Sequence, residues 1–343
     1  MNNSSCNFDS SRTVGPLRYL EIIIYSIAIF VGLTGNILLL LVFVKRRALS
    51  FASDVYFMHT TLVDLIITGT LPLWMYYELN YTAFDRATCI GLSVTFYVPL
   101  FMQAWFLISI AMERYSNLVW MVPISTKAAM KNSLGTWVVC AFVASPYYVF
   151  RNAHEGHTCI LGNYTWHFNE PAHTLLDFLM IACVFISPVG IVLTVSYKMR
   201  RATWGNKRLN AETGDMLLVI AIMAILFWGP FHVVLIIDNI LQRIYGNSNC
   251  TVEEIKHLIS MGSATAVYLR AVVNPIVYCG ISEKVREQMY SLFRYHPYDE
   301  LDLEAAKNTV ELRVRERNTK GKKRKKRVTW FDQTFPKSYE CFL

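Results

Sequence analysis

Seven long apolar stretches, at about 20–44, 55–77, 90–111, 134–149, 175–197, 216–241 and 255–279, divide the chain. A helix needs about 20 predominantly apolar residues to cross the hydrocarbon core of a bilayer. Six of the stretches reach or approach that length, and Asn132 and Ser133 extend the fourth. A water-soluble fold of this size alternates apolar and polar faces instead. Composition agrees: of 343 residues 54% are hydrophobic and 17% are charged, against about 25% charged in a soluble domain. The fold class that follows is an all-α membrane protein, a seven-transmembrane helix bundle. The opening "MNNSSCNFDSSR" has no basic region followed by an apolar one, so no cleavable signal is expected and the first crossing directs insertion.

Two independent patterns set the orientation. Lys45, Arg46 and Arg47 follow the first stretch, Lys127 and Lys131 the third, and Lys198, Arg200, Arg201, Lys207 and Arg208 the fifth; "KGKKRKKR" lies in the tail. All fall on one side, which the positive-inside bias makes cytoplasmic, with the N-terminus outside. The glycosylation sequons at Asn2, Asn3, Asn80, Asn163 and Asn249 all fall in expected outer segments. Of the eight cysteines, Cys6, Cys89, Cys159 and Cys250 are on the outer, oxidising side. Four outer cysteines allow three pairings, and the sequence does not choose among them.

The expected organisation is an extracellular N-terminus (1–17), a seven-crossing domain with a surface helix (18–295) and a cytoplasmic, disordered tail (296–343). Connections are expected to be short, about ten residues or fewer around 45–54 and 80–88 and about fifteen around 200–215, with the longest outer loop at roughly 152–172. After the last crossing, "ISEKVREQMYSLF" repeats apolar residues at three and four, the spacing of a helix lying on the membrane surface.

A set of motifs, one per crossing, carries a family resemblance: Gly35–Asn36, Asp64, Cys89, "ERY" at 113–115, Trp137, Pro188, "FWGP" at 227–230 and "NPIVY" at 274–278. In this order they resemble a rhodopsin-like G-protein-coupled receptor over about residues 15–295. Spacing offers a check. The 25 residues from Cys89 to Arg114 span roughly 37 Å as helix, so the cysteine sits at one membrane surface and "ERY" at the other. "TGTLPLWMYYEL", with Thr70 and Pro72 kinking the second helix, is similar to chemokine receptors. "SDVYFMHTTLVDL", "ERYSNLVW", "YLRAVVNPIVY" and the tail "YDELDLEAAKNTVELRVRERNTK" are most similar to the chemokine-receptor homologues of primate cytomegaloviruses.

The resemblance implies several roles. Cys89 pairs with Cys159, and Cys6 with Cys250. Glu113 holds Arg114 at rest, and Arg114, Tyr115 and Tyr278 serve coupling to a heterotrimeric G protein; an ordinary interfacial anchor is the bland alternative for the Glu–Arg pair. Trp228 and Pro230 form the toggle. Trp74, Phe96, Phe231 and Asp238 line an outer ligand pocket, with interhelical packing as the alternative, and His232 beside them is open between the same two roles. Asp64 would hold a sodium ion with help from Asn36, Asn274 and two polar positions that here are Gln103 and Arg270. Arg270 is therefore expected to replace the ion and fork onto Asp64, because a buried charge without a partner is costly.

Several residues depart from that family. The N-terminal arm (1–18) holds one acid, Asp9, two arginines and no tyrosine, a poor lure for basic chemokines. Ala264 stands where most of the family carry a ligand-contacting acid in helix seven. Ser196 replaces a tyrosine after the helix-five proline, and Ala224 replaces an aromatic before Trp228. The expected function is a viral chemokine-receptor-like receptor that binds an extracellular ligand, chemokine or other, or signals constitutively to host G proteins. The alternative is a receptor-shaped modulator with no ligand of its own, acting through a host receptor heteromer or trafficking. A transporter would show repeats and a polar path, and an enzyme a nucleophile, metal or phosphate motif; neither is present, and no cofactor or metal is implied. The basic cluster is expected to meet anionic lipid rather than nucleic acid. Tyr298 in "YDEL" and Tyr339 in "YECF" fit sorting signals, which would distribute the protein between host plasma membrane and endosomal membranes.

Overall fold

The computed structural model describes residues 14–45, 51–80, 85–149, 170–202, 207–245, 250–281 and 283–293. The first crossing is α1 (Val14–Ile27), a π-helical turn at Ala28–Gly32, and α2 (Leu33–Lys45). The second and third are α3 (Ala52–Asn80) and α4 (Arg86–Tyr115), the latter running into a second π turn at Ser116–Trp120. The fourth is α5 (Thr126–Val143) and the short α6 (Ser145–Val149). The fifth is α7 (Glu170–Met180), a π turn at Ile181–Ile186 and α8 (Ser187–Ala202). The sixth and seventh are α9 (Lys207–Tyr245) and α10 (Cys250–Ile281), and α11 (Glu283–Phe293) follows. By internal contacts the chain divides into a unit Met1–Tyr290, which holds the bundle, and a unit Ser291–Leu343, of which only the end of α11 is described.

Local chemistry sets these ends. Asp85 caps α4, its carboxylate accepting from Ala87 N at 3.2 Å and from the Thr88 hydroxyl. These donors hold the exposed Asp85 carboxyl below its usual range, the Thr88 hydroxyl foremost. Ser125 caps α5 by accepting from Ala128 N at 3.2 Å. Met121, with φ 56°, ends the π turn after α4 in the left-handed region. Pro188 follows the π turn of the fifth crossing. Proline has no N–H and clashes one turn back, so the ladder there rearranges. Two connections differ from the sequence reading. α9 starts at Lys207, so only four residues separate it from α8 rather than fifteen. The fourth crossing breaks at Ala144, two residues before Pro146, whose ring has no N–H to donate to the preceding turn and clashes with it.

Four of the described crossings are long and apolar enough to span a bilayer by composition alone: Tyr19–Val44, Ala87–Trp120, Thr174–Ala202 and Leu217–Leu241. The second, fourth and seventh carry more polar side chains, and the structure buries these inward. Asp64, His59, Thr60, Thr61 and Thr68 of α3 and Arg270 and Asn274 of α10 are all buried. Lipid-facing positions are apolar and exposed instead, as at Val138 and Phe142 of α5.

Close approach of α2 to α10 depends on glycine. A Cβ at Gly35 would lie 3.2 Å from the ring carbons of Pro275, and one at Gly32 would lie 3.1 Å from Thr68 Cγ2. Asn36 exploits the contact: its Nδ2 donates to Ala271 O across the interface and to Gly32 O, both at 2.8 Å. Gly35→Val forces the two helices apart at a rigid ring and is expected to cost about 1–3 kcal/mol. Thermal unfolding of the purified variant checks this, and an unchanged midpoint contradicts it.

Candidate functional site

The densest polar contact in the bundle is built around Asp64 in the middle of α3. Arg270 Nη2 of α10 donates to Asp64 Oδ1 at 2.7 Å, and Gln103 Nε2 of α4 donates to the same oxygen at 2.9 Å. Asn274 Nδ2, one turn along α10 from Arg270, donates to Oδ2 at 2.6 Å. The Asp64 side chain is fully buried and that of Arg270 is 8% exposed. The expected fork does not form. Arg270 uses one nitrogen on one oxygen, and Asn274, from the same helix face, donates to the other. The guanidinium carbon lies over the Trp228 ring, 5.0 Å from its centroid, which adds a cation–π contact. Asn36 is adjacent in the packing but bonds backbone carbonyls, not Asp64.

Beside this layer is a cavity with about 450 Å³ of empty space, its open mouth included. Gln103, Trp228, Arg270 and Asn274 form its polar wall; Leu107, Ile110, Ile220, Met223 and Ala224 form its apolar one. Gln103 Oε1, Arg270 Nε and Trp228 Nε1 are buried and have no protein partner, so the wall is polar enough to hold water. Ala224, where the sequence lacks an aromatic, leaves room on that wall. The cavity reaches Tyr278, which is buried with its ring 4.8 Å from Phe57.

At one end of α4 sits the "ERY" triplet. Glu113 is fully buried, and its Oε1 accepts from Asn117 Nδ2 at 2.5 Å. Arg114 Nε lies 3.5 Å from Glu113 Oε2, an ion pair in which neither atom makes a hydrogen bond. Both contacting atoms are buried, while the Arg114 side chain as a whole is 26% exposed. Tyr115 packs edge-on against Trp120 at 5.2 Å. The loop after the π turn, tied by Val122 N to Ser116 O at 3.1 Å and Ser116 Oγ to Val122 O at 2.6 Å, leaves Trp120, Met121 and Val122 58%, 75% and 61% exposed. This apolar tip beside the arginine was not singled out from sequence; its signal is "VWMVP", apolar residues running past the end of a crossing.

At the Cys89 end, Phe96, Phe231 and Tyr268 pack ring to ring, with Phe96–Phe231 centroids 5.5 Å apart and Phe96–Tyr268 6.4 Å. Trp74 is also buried, and Asp238 lies half-buried two turns beyond Phe231 on α9. His232 donates from Nδ1 to Trp228 O at 2.8 Å and stacks on Phe185 at 5.0 Å, while its buried Nε2 has no partner among the described residues. Trp137 donates to His59 Nδ1 at 3.1 Å, tying α5 to α3; His59 was likewise missed by the sequence reading. Pro230 lies within α9. Glu21 of α1, a buried acid contacting α10, was missed as well.

Among the described cysteines Cys140, Cys183 and Cys279 are free, whereas Cys89 is in a disulfide. Cys250 is the first residue of α10 and Asn80 the last of α3. Asn2, Asn3, Cys6, Cys159, Asn163, Asn249, Tyr298, Tyr339, the basic cluster and the tail expected to be disordered lie outside the described residues.

Residues 35–278 match the model of the 7 transmembrane receptor (rhodopsin family), and the chain belongs to that family. It is a multi-pass membrane protein similar to chemokine receptors and their viral homologues. Envelope protein US28 of Human cytomegalovirus (strain Merlin) is 24% identical over 295 residues, 83% of this chain and 82% of the relative. C-X-C chemokine receptor type 3 of Bos taurus is 25% identical over 297 residues, 84% and 78% of the two chains. CX3C chemokine receptor 1 of Homo sapiens is 24% identical over 277 residues, 79% and 77%.

Proposed function

We propose that the protein is a virally encoded signalling receptor of host membranes, N-terminus outside, that activates a heterotrimeric G protein through Arg114 and the Trp120–Val122 tip without regulation by sodium. The observation that carries this reading is the Arg270–Asp64 bond at 2.7 Å. A guanidinium carries the charge that a bound sodium ion would bring, and unlike an ion it cannot leave. Gln103 and Asn274 also donate to the acid, and a cation entering this site would meet a positive charge already in place. Arg114 supports coupling because its hold on Glu113 is a long contact without a hydrogen bond, which a docking partner can displace.

The test is nucleotide exchange on purified heterotrimer by the receptor in lipid nanodiscs, with sodium chloride or N-methylglucamine chloride at equal ionic strength. Exchange is expected to be the same in both salts. Slower exchange in sodium overturns the sodium-free core, and no exchange above receptor-free discs, across a panel of G-protein subtypes, overturns coupling.

The second reading, a modulator without its own ligand, is favoured by one observation. Phe96 and Phe231, expected to line an outer pocket, are 3% and 6% exposed and fill the space against each other. Labelled chemokines tested on cells with confirmed surface expression separate the two readings: binding that Phe231→Ala alters supports the pocket, and no binding by any member supports the modulator.

A further inference from the structure

A second acid is buried far from the Asp64 layer. Glu21 lies fifteen residues before Asn36 along the first crossing, roughly 22 Å toward the Cys89 end. It is 6% exposed, wedged between the first and seventh crossings. Its Oε1 accepts from the Tyr25 hydroxyl at 2.5 Å and from the Thr265 hydroxyl at 3.2 Å. Its Oε2 is buried and makes no hydrogen bond. Tyr268 packs edge-on against Tyr25 at 5.6 Å and carries a hydroxyl that is also buried, with the Thr70 side chain near it and no close hydrogen bond made among the described residues.

The contrast with Asp64 is informative. Asp64 meets one cation and two amides, whereas Glu21 meets two hydroxyls, which satisfy one oxygen and leave the charge unanswered among the described residues. A buried carboxylate is costly unless a charge and hydrogen bonds complete it. The two open groups, a carboxylate oxygen and a tyrosine hydroxyl, are both able to accept.

We propose that the contact between α1 and α10 at Glu21 is a binding subsite for an ammonium group. Such a group is a compact cation with three N–H donors. One donor meets Glu21 Oε2 and one the Tyr268 hydroxyl oxygen; the third, or the carbon that replaces it, points back to the body of the ligand. The subsite rests on the receptor reading only for its direction, since the proposed orientation opens this end to the outside. The amino terminus of an extracellular protein and a small free amine offer the same chemistry.

The experiment is thermal unfolding of the full-length receptor in nanodiscs with ethylammonium, tetramethylammonium or sodium chloride at equal ionic strength. Ethylammonium is expected to raise the midpoint saturably. Tetramethylammonium, which has the charge but no N–H, and sodium are not. Glu21→Gln keeps the shape and both hydroxyl partners but lacks the charge, and should need roughly tenfold or more ethylammonium for the same rise. Tyr268→Phe should weaken the effect severalfold, and it keeps the proposal testable if Glu21→Gln does not fold. Equal midpoints in the three salts, or an undiminished rise in both variants, overturn the subsite. Labelled chemokines with free or acetylated amino termini then separate the sources. Binding that requires both the free terminus and Glu21 assigns a protein ligand, and an ethylammonium effect without chemokine binding assigns a free amine. No G protein takes part in the melting readout, so failure of the subsite and failure of coupling are seen separately.

Discussion

Asp64→Asn and Arg270→Asn are each expected to destabilise the purified receptor by about 3–5 kcal/mol, and the double variant by clearly less than the two losses added. The reason is that each single change leaves one charge buried and unanswered. The two singles should also differ. After Arg270→Asn, the Asp64 carboxylate still accepts from Gln103 and Asn274. After Asp64→Asn, the arginine keeps its charge beside Trp228 but has lost the carboxylate it was bonded to. Asp64→Asn should therefore be the more damaging. Thermal unfolding of the four proteins in one lipid composition measures this. Losses that add would mean that the ion pair does not hold this layer together.

Val122→Asp is expected to lower the rate of G-protein nucleotide exchange by about tenfold or more while leaving the unfolding midpoint within about 0.5 kcal/mol of the parent. The side chain is 61% exposed and its loop is held by backbone and Ser116 bonds, not by its own packing. Burying a valine at an interface contributes about 1.5–3 kcal/mol, and a carboxylate placed there must be desolvated as well. Arg114→Ala is the companion variant, expected to abolish exchange by removing the charged centre of the same surface. Exchange unchanged by Val122→Asp would remove the tip from the docking surface. A large fall in stability would show that the loop is structural.

How the bundle is built could be read largely from local chemistry. Crossings follow from runs of apolar residues, and this works even where α3 and α10 carry charges, because one interior charge does not outweigh some twenty apolar neighbours. Helix ends were less legible. α9 begins nine residues ahead of its apolar run, since "LNAETGD" is polar yet continues the helix. The π turn at Ala28–Gly32 has no proline to announce it.

Asp64 and Arg270 lie 206 residues apart, and their residue types alone demanded partners, because a membrane interior gives a charge no other escape. Which atoms meet was decided by packing: Gly35 lets α2 close on Pro275, α10 presents Asn274 one turn below Arg270, and the amide takes the oxygen that a forked guanidinium would have used. Glu21 makes the same point from the other side. At the mouth of the first crossing it reads as an ordinary interfacial acid, and nothing nearby in sequence says otherwise. Tyr25 of its own helix gives it one hydroxyl, and the docking of α10 against α1 adds the Thr265 hydroxyl rather than a counter-ion and leaves one oxygen open. Sequence determines that a charge in lipid must be answered; the tertiary structure decides what answers it, because the answering groups come from helices whose register along one another is fixed by shape.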